Sequence, residues 1–158
     1  MPAILNLKMM NNNLNLKAVT VKTCQYHEYL SDIQYIRSTV FIQEQDIPEE
    51  LEWDNLDAEC LHFLAYYNNK AIATARLLKD GHIGRMAVLA NFRQQKVGQK
   101  LLTFIIKQAQ STSLKIQLSA QEHAVGFYLK QGFRVTSDVY MDAGIPHYDM
   151  QYKPKEKA

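Results

Sequence analysis

Hydrophobic and polar positions recur with two different periods along this chain, and each change of period marks a change of predicted element. Short apolar and β-branched runs of strand length occur at 18–22, 61–67, 71–78 and 82–89. Asn68 and Asn69 separate the second run from the third, and because asparagine tolerates the left-handed conformation they predict a hairpin. The turn KDGH follows, so we expect a three-stranded meander over residues 61–89.

Helical spacing marks three other segments. Apolar positions within 26–45 predict a first helix that ends before Pro48. A second helix begins at Lys96 or Val97, and its buried face is predicted to comprise Val97, Leu101, Leu102, Ile105, Ile106 and Ala109. Residues 121–131 predict a third helix, which Gly132 caps.

Further strands are predicted at 115–120, 133–140 and 147–153. This mixed order of strands and helices is typical of the α+β class, with one partly antiparallel sheet and helices packed on it.

Length and composition predict one globular domain. The chain has 158 residues, of which 47% are hydrophobic and 22% charged. We expect a loose lead-in at 1–17, a single domain at 18–153 and a basic tail at 154–158. No apolar run is long enough to span a membrane, and the N-terminus lacks a signal-peptide core. The two cysteines, Cys24 and Cys60, are interpreted as reduced thiols. Together these features predict a cytoplasmic protein without a membrane span.

Charge and histidine spacing narrow the classes of ligand. A net charge of +2 is too small to indicate nucleic-acid binding, although Lys153, Lys155 and Lys157 make the end of the chain basic. The five histidines show no paired ligand spacing, so no metal site is predicted.

The stretch RQQKVGQK at 93–100 has the position of a phosphate-binding turn, between a strand and a long helix. The first N–H groups of a helix are free to bind an anion, and Gly98 allows close approach of a ligand to the backbone. The stretch lacks the glycines of a dinucleotide fingerprint and the GK[ST] of a Walker loop. From spacing alone, an ordinary surface turn fits about equally well.

Three stretches together resemble the GCN5-related N-acetyltransferase (GNAT) superfamily. Residues 93–98 are similar to its R/Q-x-x-G-x-G/A motif, but Lys96 stands where the family usually has glycine. FYLKQGF at 127–133 is similar to a second family motif. The segment 40–66, with GR at 84–85 and AGIPHYDM at 143–150, resembles the ElaA/YjcF-like branch. We expect Lys96 to fit because a residue that starts a helix needs no positive φ.

The resemblance implies an acyl-CoA N-acyltransferase fold, in which the strand at 82–89 splays from the strand at 115–120. It implies that acetyl-CoA is the co-substrate and that Tyr128 protonates the leaving thiolate. The Val88 N–H is expected to contact the thioester oxygen. The implied contacts with acetyl-CoA are Met86, Ala87, Val88, Arg93, Gln94, Gln95, Lys96, Val97, Gly98, Gln99 and Lys100.

The general base and the acceptor site are less specific predictions. Glu44, His147 and Glu122 are the candidate bases; histidine needs the least tuning, and a water relay is an alternative. Residues 44–59 hold eight of the sixteen acidic residues and no Lys or Arg, so they are expected to attract a cationic amine, although a solvated loop fits as well. Glu44, Trp53 and His123 are predicted to contact this amine.

The sequence thus predicts an N-acetyltransferase that acts on the primary amine of a small, cationic substrate. A CoA-binding domain without catalysis is the alternative, and a basic nucleic-acid-binding module is a third reading that no aromatic-basic strand pattern supports. A homodimer is possible, and the sequence does not identify the amine.

Overall fold

A computed structural model of the protein describes residues 14–112 and 114–154, which form an eight-stranded sheet with helices on both faces. The strands are β1 Thr20–Cys24, β2 Leu61–Tyr67, β3 Lys70–Leu77, β4 His82–Val88, β5 Gln117–Gln121, β6 Phe133–Val135, β7 Tyr140–Asp142 and β8 Ile145–Tyr152. Their order is β1-β2-β3-β4-β5-β8-β6, with β7 paired to β8 beside β6. Among the described strands, β4 and β5 form the single parallel pair.

The helices are α1 Leu30–Arg37, α2 Glu49–Glu52, α3 Val97–Gln110 and α4 Val125–Lys130. Helix α1 continues directly into a π-helix at Ser38–Glu44. Short 3₁₀ turns occur at Leu16–Ala18, Asp57–Glu59, Ala90–Phe92 and Glu122–Ala124. No helix in the described ranges combines the length and apolarity needed to cross a membrane.

Two hydrophobic clusters lie on the two faces of the sheet. Helix α3 buries all six of its predicted core residues against one face. Helix α1 and the π-helix cover the other face with Ile33, Ile36, Val40 and Phe41. Neighbouring residues of β2 illustrate the alternation, since Phe63 belongs to the first cluster and Leu64 to the second. The predicted α+β class is therefore confirmed.

Turn chemistry predicted several boundaries correctly. Asn68 and Asn69 adopt φ angles of +49° and +61° and close the hairpin between β2 and β3. Gly132 has a φ of +99° just after α4, as expected for a residue that ends a helix. The meander of β2, β3 and β4 is antiparallel throughout.

Other boundaries were predicted wrongly. The predicted strand at 133–140 is two strands, β6 and β7, because Ser137 leaves the ladder and its Oγ accepts a hydrogen bond from the Asp149 N–H. The last strand begins at Ile145 rather than at 147, because Ala143 and Gly144 adopt positive φ angles and close a β7–β8 hairpin. The first helix begins at Leu30 and changes to π geometry at Ser38.

Parts of the predicted termini lie outside the described residues. These are residues 1–13 of the expected lead-in and residues 155–158 of the expected basic tail.

Candidate active site

A gap opens in the sheet where β4 and β5 part. The two strands pair at His82 with Gln117 and at Ile83 with Leu118, and their register ends there. Beyond these two pairs the strands diverge, as the resemblance implied. The facing edges of β4 and β5 then have backbone groups available for an extended ligand to pair with.

A β-bulge begins on β4 two residues beyond Ile83, the last residue that pairs with β5. Gly84 pairs with Arg76 and Ala87 with Thr74, so Arg85 and Met86 together face the single residue Ala75. Arg85 has a φ of +48°, in the left-handed region where a bulge of this kind usually has glycine. An arginine in this conformation costs about 1–2 kcal/mol, so neighbouring contacts must hold it there.

Beyond the bulge, the alternation of backbone groups along β4 directs the Val88 N–H towards the gap. The Leu89 N–H donates to Ile72 O on β3 at 2.9 Å, so it points away from the gap. Because backbone groups alternate sides along a strand, the Val88 N–H points to the opposite side, towards β5. The Val88 carbonyl accepts a hydrogen bond of 2.8 Å from Arg93 Nε.

The turn before α3 contains two left-handed residues. Gln94 has a φ of +60° and Lys96, which precedes the first helical residue, has a φ of +68°. The expectation that Lys96 needs no positive φ is therefore wrong, and the left-handed conformation explains why the related motif has glycine here. Alternating conformations of this kind turn successive N–H groups inwards to form an anion-binding concavity.

Gly98 faces the gap from the first turn of α3. A Cβ atom at this position would lie 3.6 Å from Phe127 and 3.7 Å from both Met86 and Val88. The start of α3, strand β4 and helix α4 therefore converge on one place. Because it has no side chain, Gly98 brings the helix backbone close to these three residues.

The side chains of Lys96, Gln99 and Lys100 line a separate groove of about 600 Å³ between α3 and the β1 side of the sheet. The Lys100 ammonium donates to the carbonyls of Leu16 and Val19, at 2.9 and 2.6 Å. This charge therefore fixes the chain before β1.

Tyr128 reaches the gap from α4. Its hydroxyl donates to Met86 Sδ at 3.6 Å, and its ring packs edge-on against Phe127 and Phe133. Burial raises the pKa of Tyr128 to about 12. The phenol therefore remains protonated at neutral pH and can act as a proton donor.

Glu44 and Arg93 form an ion pair across the mouth of the gap. Arg93 lies 2.9 Å from a Glu44 carboxylate oxygen and also holds the Val88 carbonyl. The ion pair connects the end of the π-helix to the turn before α3. Arg93, which the sequence predicts to bind acetyl-CoA, is therefore paired with a carboxylate in this structure.

Gln45, Gln121 and His147 lie at the same end of β5. The two glutamine amides exchange hydrogen bonds of 3.1 and 2.8 Å, and His147 pairs with Gln121 across the β5–β8 ladder. His147 is buried, and its Nδ1 lies 2.7 Å from Ile145 O. A carbonyl only accepts hydrogen bonds, so Nδ1 carries the hydrogen, and in a neutral ring the lone pair is then on Nε2.

Half of the carboxylates in the acidic segment are paired with arginines. Glu52, Asp54 and Asp57 form ion pairs with arginines, as Glu44 does. Burial alone would raise the pKa of Asp57, but hydrogen bonds and charge from Arg37 and Arg76 outweigh it and lower the pKa. The segment therefore presents less negative charge to a ligand than its eight carboxylates suggest.

Of the remaining predicted residues, Trp53 already contacts an arginine, and Glu122 and His123 lie on an exposed turn. One face of Trp53 is occupied by Arg37, whose guanidinium lies 4.8 Å from the ring centroid. Glu122 and His123 lie in the exposed 3₁₀ turn between β5 and α4. The described residues contain no group of three or more side chains arranged to hold a metal ion.

Sequence reasoning did not select several residues that the structure brings to this region. The GR pair at 84–85 is part of the resemblance, but the sequence does not predict the bulge that Arg85 forms. Gln45 and Gln121 are 76 positions apart, and no local pattern connects them.

The splayed parallel strand pair, the helix start facing the gap and the tyrosine on the following helix define an acyl-CoA N-acyltransferase fold. Residues 22–154 match the model of the family described as acetyltransferase (GNAT) domain. The chain is 38% identical over 140 residues to the uncharacterized N-acetyltransferase YjcF of Bacillus subtilis, covering 85% of this chain and 98% of that one.

Solved structures agree with this match. The crystal structure of Escherichia coli ElaA superposes with a TM-score of 0.77 at 29% identity and covers 85% of this chain and 99% of its own. An acyl-CoA N-acyltransferase from Pseudomonas aeruginosa gives the same TM-score and coverage at 28% identity. The chain belongs to the GNAT acetyltransferase family, in the branch of YjcF and ElaA, and is an acyltransferase.

Proposed function

We propose that the protein transfers the acetyl group of acetyl-CoA to the primary amine of a small substrate, and that Tyr128 protonates the departing CoA sulfur. One observation carries this proposal. The Tyr128 hydroxyl, the Gly98 turn of α3 and the open edge of β4 converge at the gap between β4 and β5.

The turn before α3 holds the pyrophosphate of acetyl-CoA in this proposal. The first N–H groups of α3 lack intrahelical partners and lie at the positive end of the helix dipole. The left-handed residues Gln94 and Lys96 shape the turn that precedes them. The pantetheine arm then extends along Met86, Ala87 and Val88 and pairs with the open edge of β4.

The reaction is a direct attack. The lone pair of a neutral amine forms a bond to the thioester carbonyl carbon, and the carbonyl oxygen becomes an oxyanion. The Val88 N–H, directed into the gap, stabilises this charge. The carbon–sulfur bond then breaks, and the sulfur receives the Tyr128 proton as CoA leaves. The products are the N-acetyl amide and CoA thiol.

The amine loses one proton during this reaction. His147 Nε2 is a suitable acceptor because Nδ1 is held as the donor to Ile145 O, which leaves Nε2 unprotonated in the neutral ring. Glu44 is the second candidate, and its carboxylate is ion-paired with Arg93. A water relay to either group is compatible with both.

The acceptor in this proposal is a small amine with cationic character. Asp46, Glu49, Glu50 and Glu59 remain as the segment's other carboxylates after the four ion-paired ones are set aside. They supply the negative potential that would raise the local concentration of such an amine.

Thermal unfolding with acetyl-CoA, followed by a thiol-release assay with a pool of amines, tests the proposed function. A ligand at about 100 times its dissociation constant stabilises a protein by about 2.7 kcal/mol, which corresponds to a rise of about 5–10 °C in Tm at this size. We expect this rise and amine-dependent release of CoA thiol.

Each contrary result has a distinct meaning. No rise in Tm would contradict acetyl-CoA binding. A rise without thiol release from polyamines, amino sugars, aminoglycosides, amino acids and peptides would favour a CoA-binding domain without catalysis.

A further inference from the structure

Three arginines and three carboxylates form an ion-pair network against the β4 bulge, and the proposed reaction does not use them. Arg37 bonds Glu52 at 3.2 Å and Asp57 at 2.6 Å. Glu52, Asp57 and Arg37 are each at most 5% exposed, so these charges are paired away from solvent. The network connects α1, the 52–57 segment, β3 and β4.

Arg85 connects the bulge itself to this network. Its Nη2 donates to the carbonyls of Leu51 and Glu52, at 3.3 and 3.0 Å, and to the Asp54 carboxylate at 3.2 Å. Its Nε lies 3.0 Å from Glu52 Oε1, close enough for charge attraction but not aligned for a hydrogen bond. These contacts hold the one bulge residue that has a left-handed backbone.

Arg76 holds the opposite strand at the same level. It pairs with Gly84, the last regular position before the bulge, and makes two hydrogen bonds to Asp54, of 2.8 and 2.6 Å. Asp54 therefore contacts the arginines on both strands that border the bulge. A carboxylate that bridges two strands in this way fixes their relative position at the point where β4 leaves β5.

We propose that Arg85 and Arg76, held by Glu52 and Asp54, are positioning residues that set the β4 bulge and thereby direct the Val88 N–H at the thioester oxygen. This inference rests on the proposed function, because it concerns the bound acetyl group. Neither arginine touches the reacting atoms, and both act through the backbone of β4.

Infrared difference spectroscopy of bound acetyl-CoA labelled with ¹³C at the carbonyl reads this contact directly. A hydrogen bond to the thioester oxygen lowers the carbonyl stretching frequency, so the wild-type complex should absorb below free acetyl-CoA. In Arg85→Ala we expect the frequency to return towards the free value, and CoA, which has no acetyl group, to lose less affinity than acetyl-CoA does. Turnover should fall about tenfold to a hundredfold.

Arg85→Gly separates the backbone conformation from the side chain. Glycine adopts a left-handed φ without cost, so this variant should recover most of the frequency shift that Arg85→Ala loses. Equal loss in both variants, or no loss in either, would overturn the inference. The control Arg134→Ala removes an exposed arginine on β6 and should retain the wild-type frequency.

Asp54→Asn gives a second route if Arg85→Ala does not fold. It keeps the side-chain shape and weakens the contacts with both arginines, so a smaller change in the same direction is expected. An unchanged frequency in folded Asp54→Asn would also overturn the inference. Failure of the wild type to bind acetyl-CoA would instead contradict the proposed function itself.

Discussion

Two residues allow direct tests of the candidate site. Tyr128 tests its chemistry, and Lys96 tests the backbone conformation of the turn before α3. The first contributes a protonated hydroxyl, and the second carries a side chain at a left-handed position. Each has a substitution that changes one property and leaves the surrounding packing intact.

Tyr128→Phe removes the proton donor and keeps the ring. We expect normal folding, because the hydroxyl makes a single, weak hydrogen bond, to Met86 Sδ, among the described residues. We also expect a loss of kcat of about 10²–10⁴-fold. Steady-state thiol release measures kcat. The control Tyr152→Phe removes the hydroxyl of a tyrosine that packs on Phe133 and should retain kcat. Full turnover in Tyr128→Phe would exclude the hydroxyl as the acid.

Lys96→Gly relieves the left-handed backbone. We expect the free energy of unfolding to rise by about 0.5–1 kcal/mol, because the relief of about 1–2 kcal/mol is offset in part by the greater freedom of glycine in the unfolded chain. Urea unfolding measures this change. Gln99→Gly, at a helical position three residues later, should instead lower stability by about 1 kcal/mol.

The affinity for acetyl-CoA is a second measurement to make on Lys96→Gly. The affinity should be equal or slightly weaker, since one positive charge near the phosphates is lost. Much tighter binding would mean that the lysine obstructs the site.

Residues 52–57 are held by ion pairs with arginines rather than by one continuous helix or strand. Hydrogen bonds from Arg76, together with its charge, hold the pKa of Asp54 well below its usual range. Burial raises the pKa of Glu52 in spite of Arg85 and Arg37. The two carboxyls therefore make opposite contributions to the pH dependence of stability.

Asp54→Asn should destabilise the protein by about 1.5–3 kcal/mol at pH 7, the usual effect of losing hydrogen bonds to a charged group. A lowered pKa contributes stability that is present above the unfolded pKa of about 3.9 and is lost as pH falls towards the folded value. The difference between wild type and variant should therefore shrink below about pH 4. Glu52 acts in the opposite direction, because its raised pKa favours folding as it becomes protonated.

Urea unfolding at several pH values measures this difference. The control Asp138→Asn changes an exposed residue and should alter stability by less than about 0.5 kcal/mol. A difference for Asp54→Asn that stays constant down to pH 2 would show that its charge is not what stabilises the segment.

Local patterns predicted the elements well where one physical rule dominates. The six buried positions of α3 follow from helical periodicity, and the β2–β3 hairpin follows from Asn68 and Asn69. The acidic segment was harder, because a carboxylate in the sequence looks the same whether it is solvated or buried. The arginine partners of Glu52, Asp54 and Asp57 lie at 37, 76 and 85, so only the folded arrangement of α1, β3 and β4 brings these charges together.

At the scale of the site, the family motifs predicted the position of the turn before α3 but not its conformation. The positive φ of Lys96 depends on how the chain leaves the 3₁₀ turn at Ala90–Phe92 and enters α3, which the identity of the residue does not specify. The conformation of the bulge at Arg85 is likewise not predicted by the identity of the residue. It follows from a register shift against β3, and the arginine shows no local preference for it.

At the scale of the whole molecule, the sheet consists of two parts. Strands β1 to β4 form an antiparallel part that α1 and α3 cover, and β5 to β8 form a second antiparallel part. Two residue pairs of β4 and β5 join the parts, and a shared hydrophobic cluster that includes Leu101 and Met150 packs across them.

This division makes the chain suitable for fragment complementation. A cut between Thr112 and Leu114, after α3 and before β5, would leave each part of the sheet on its own polypeptide. Reassembly would restore the shared hydrophobic cluster but only two residue pairs between β4 and β5. A small molecule lying along both strands would therefore add much of the missing backbone pairing. Assembly of the two fragments would then depend on a ligand bound in the gap. Joining each fragment to one half of a split fluorescent reporter would convert this assembly into a signal.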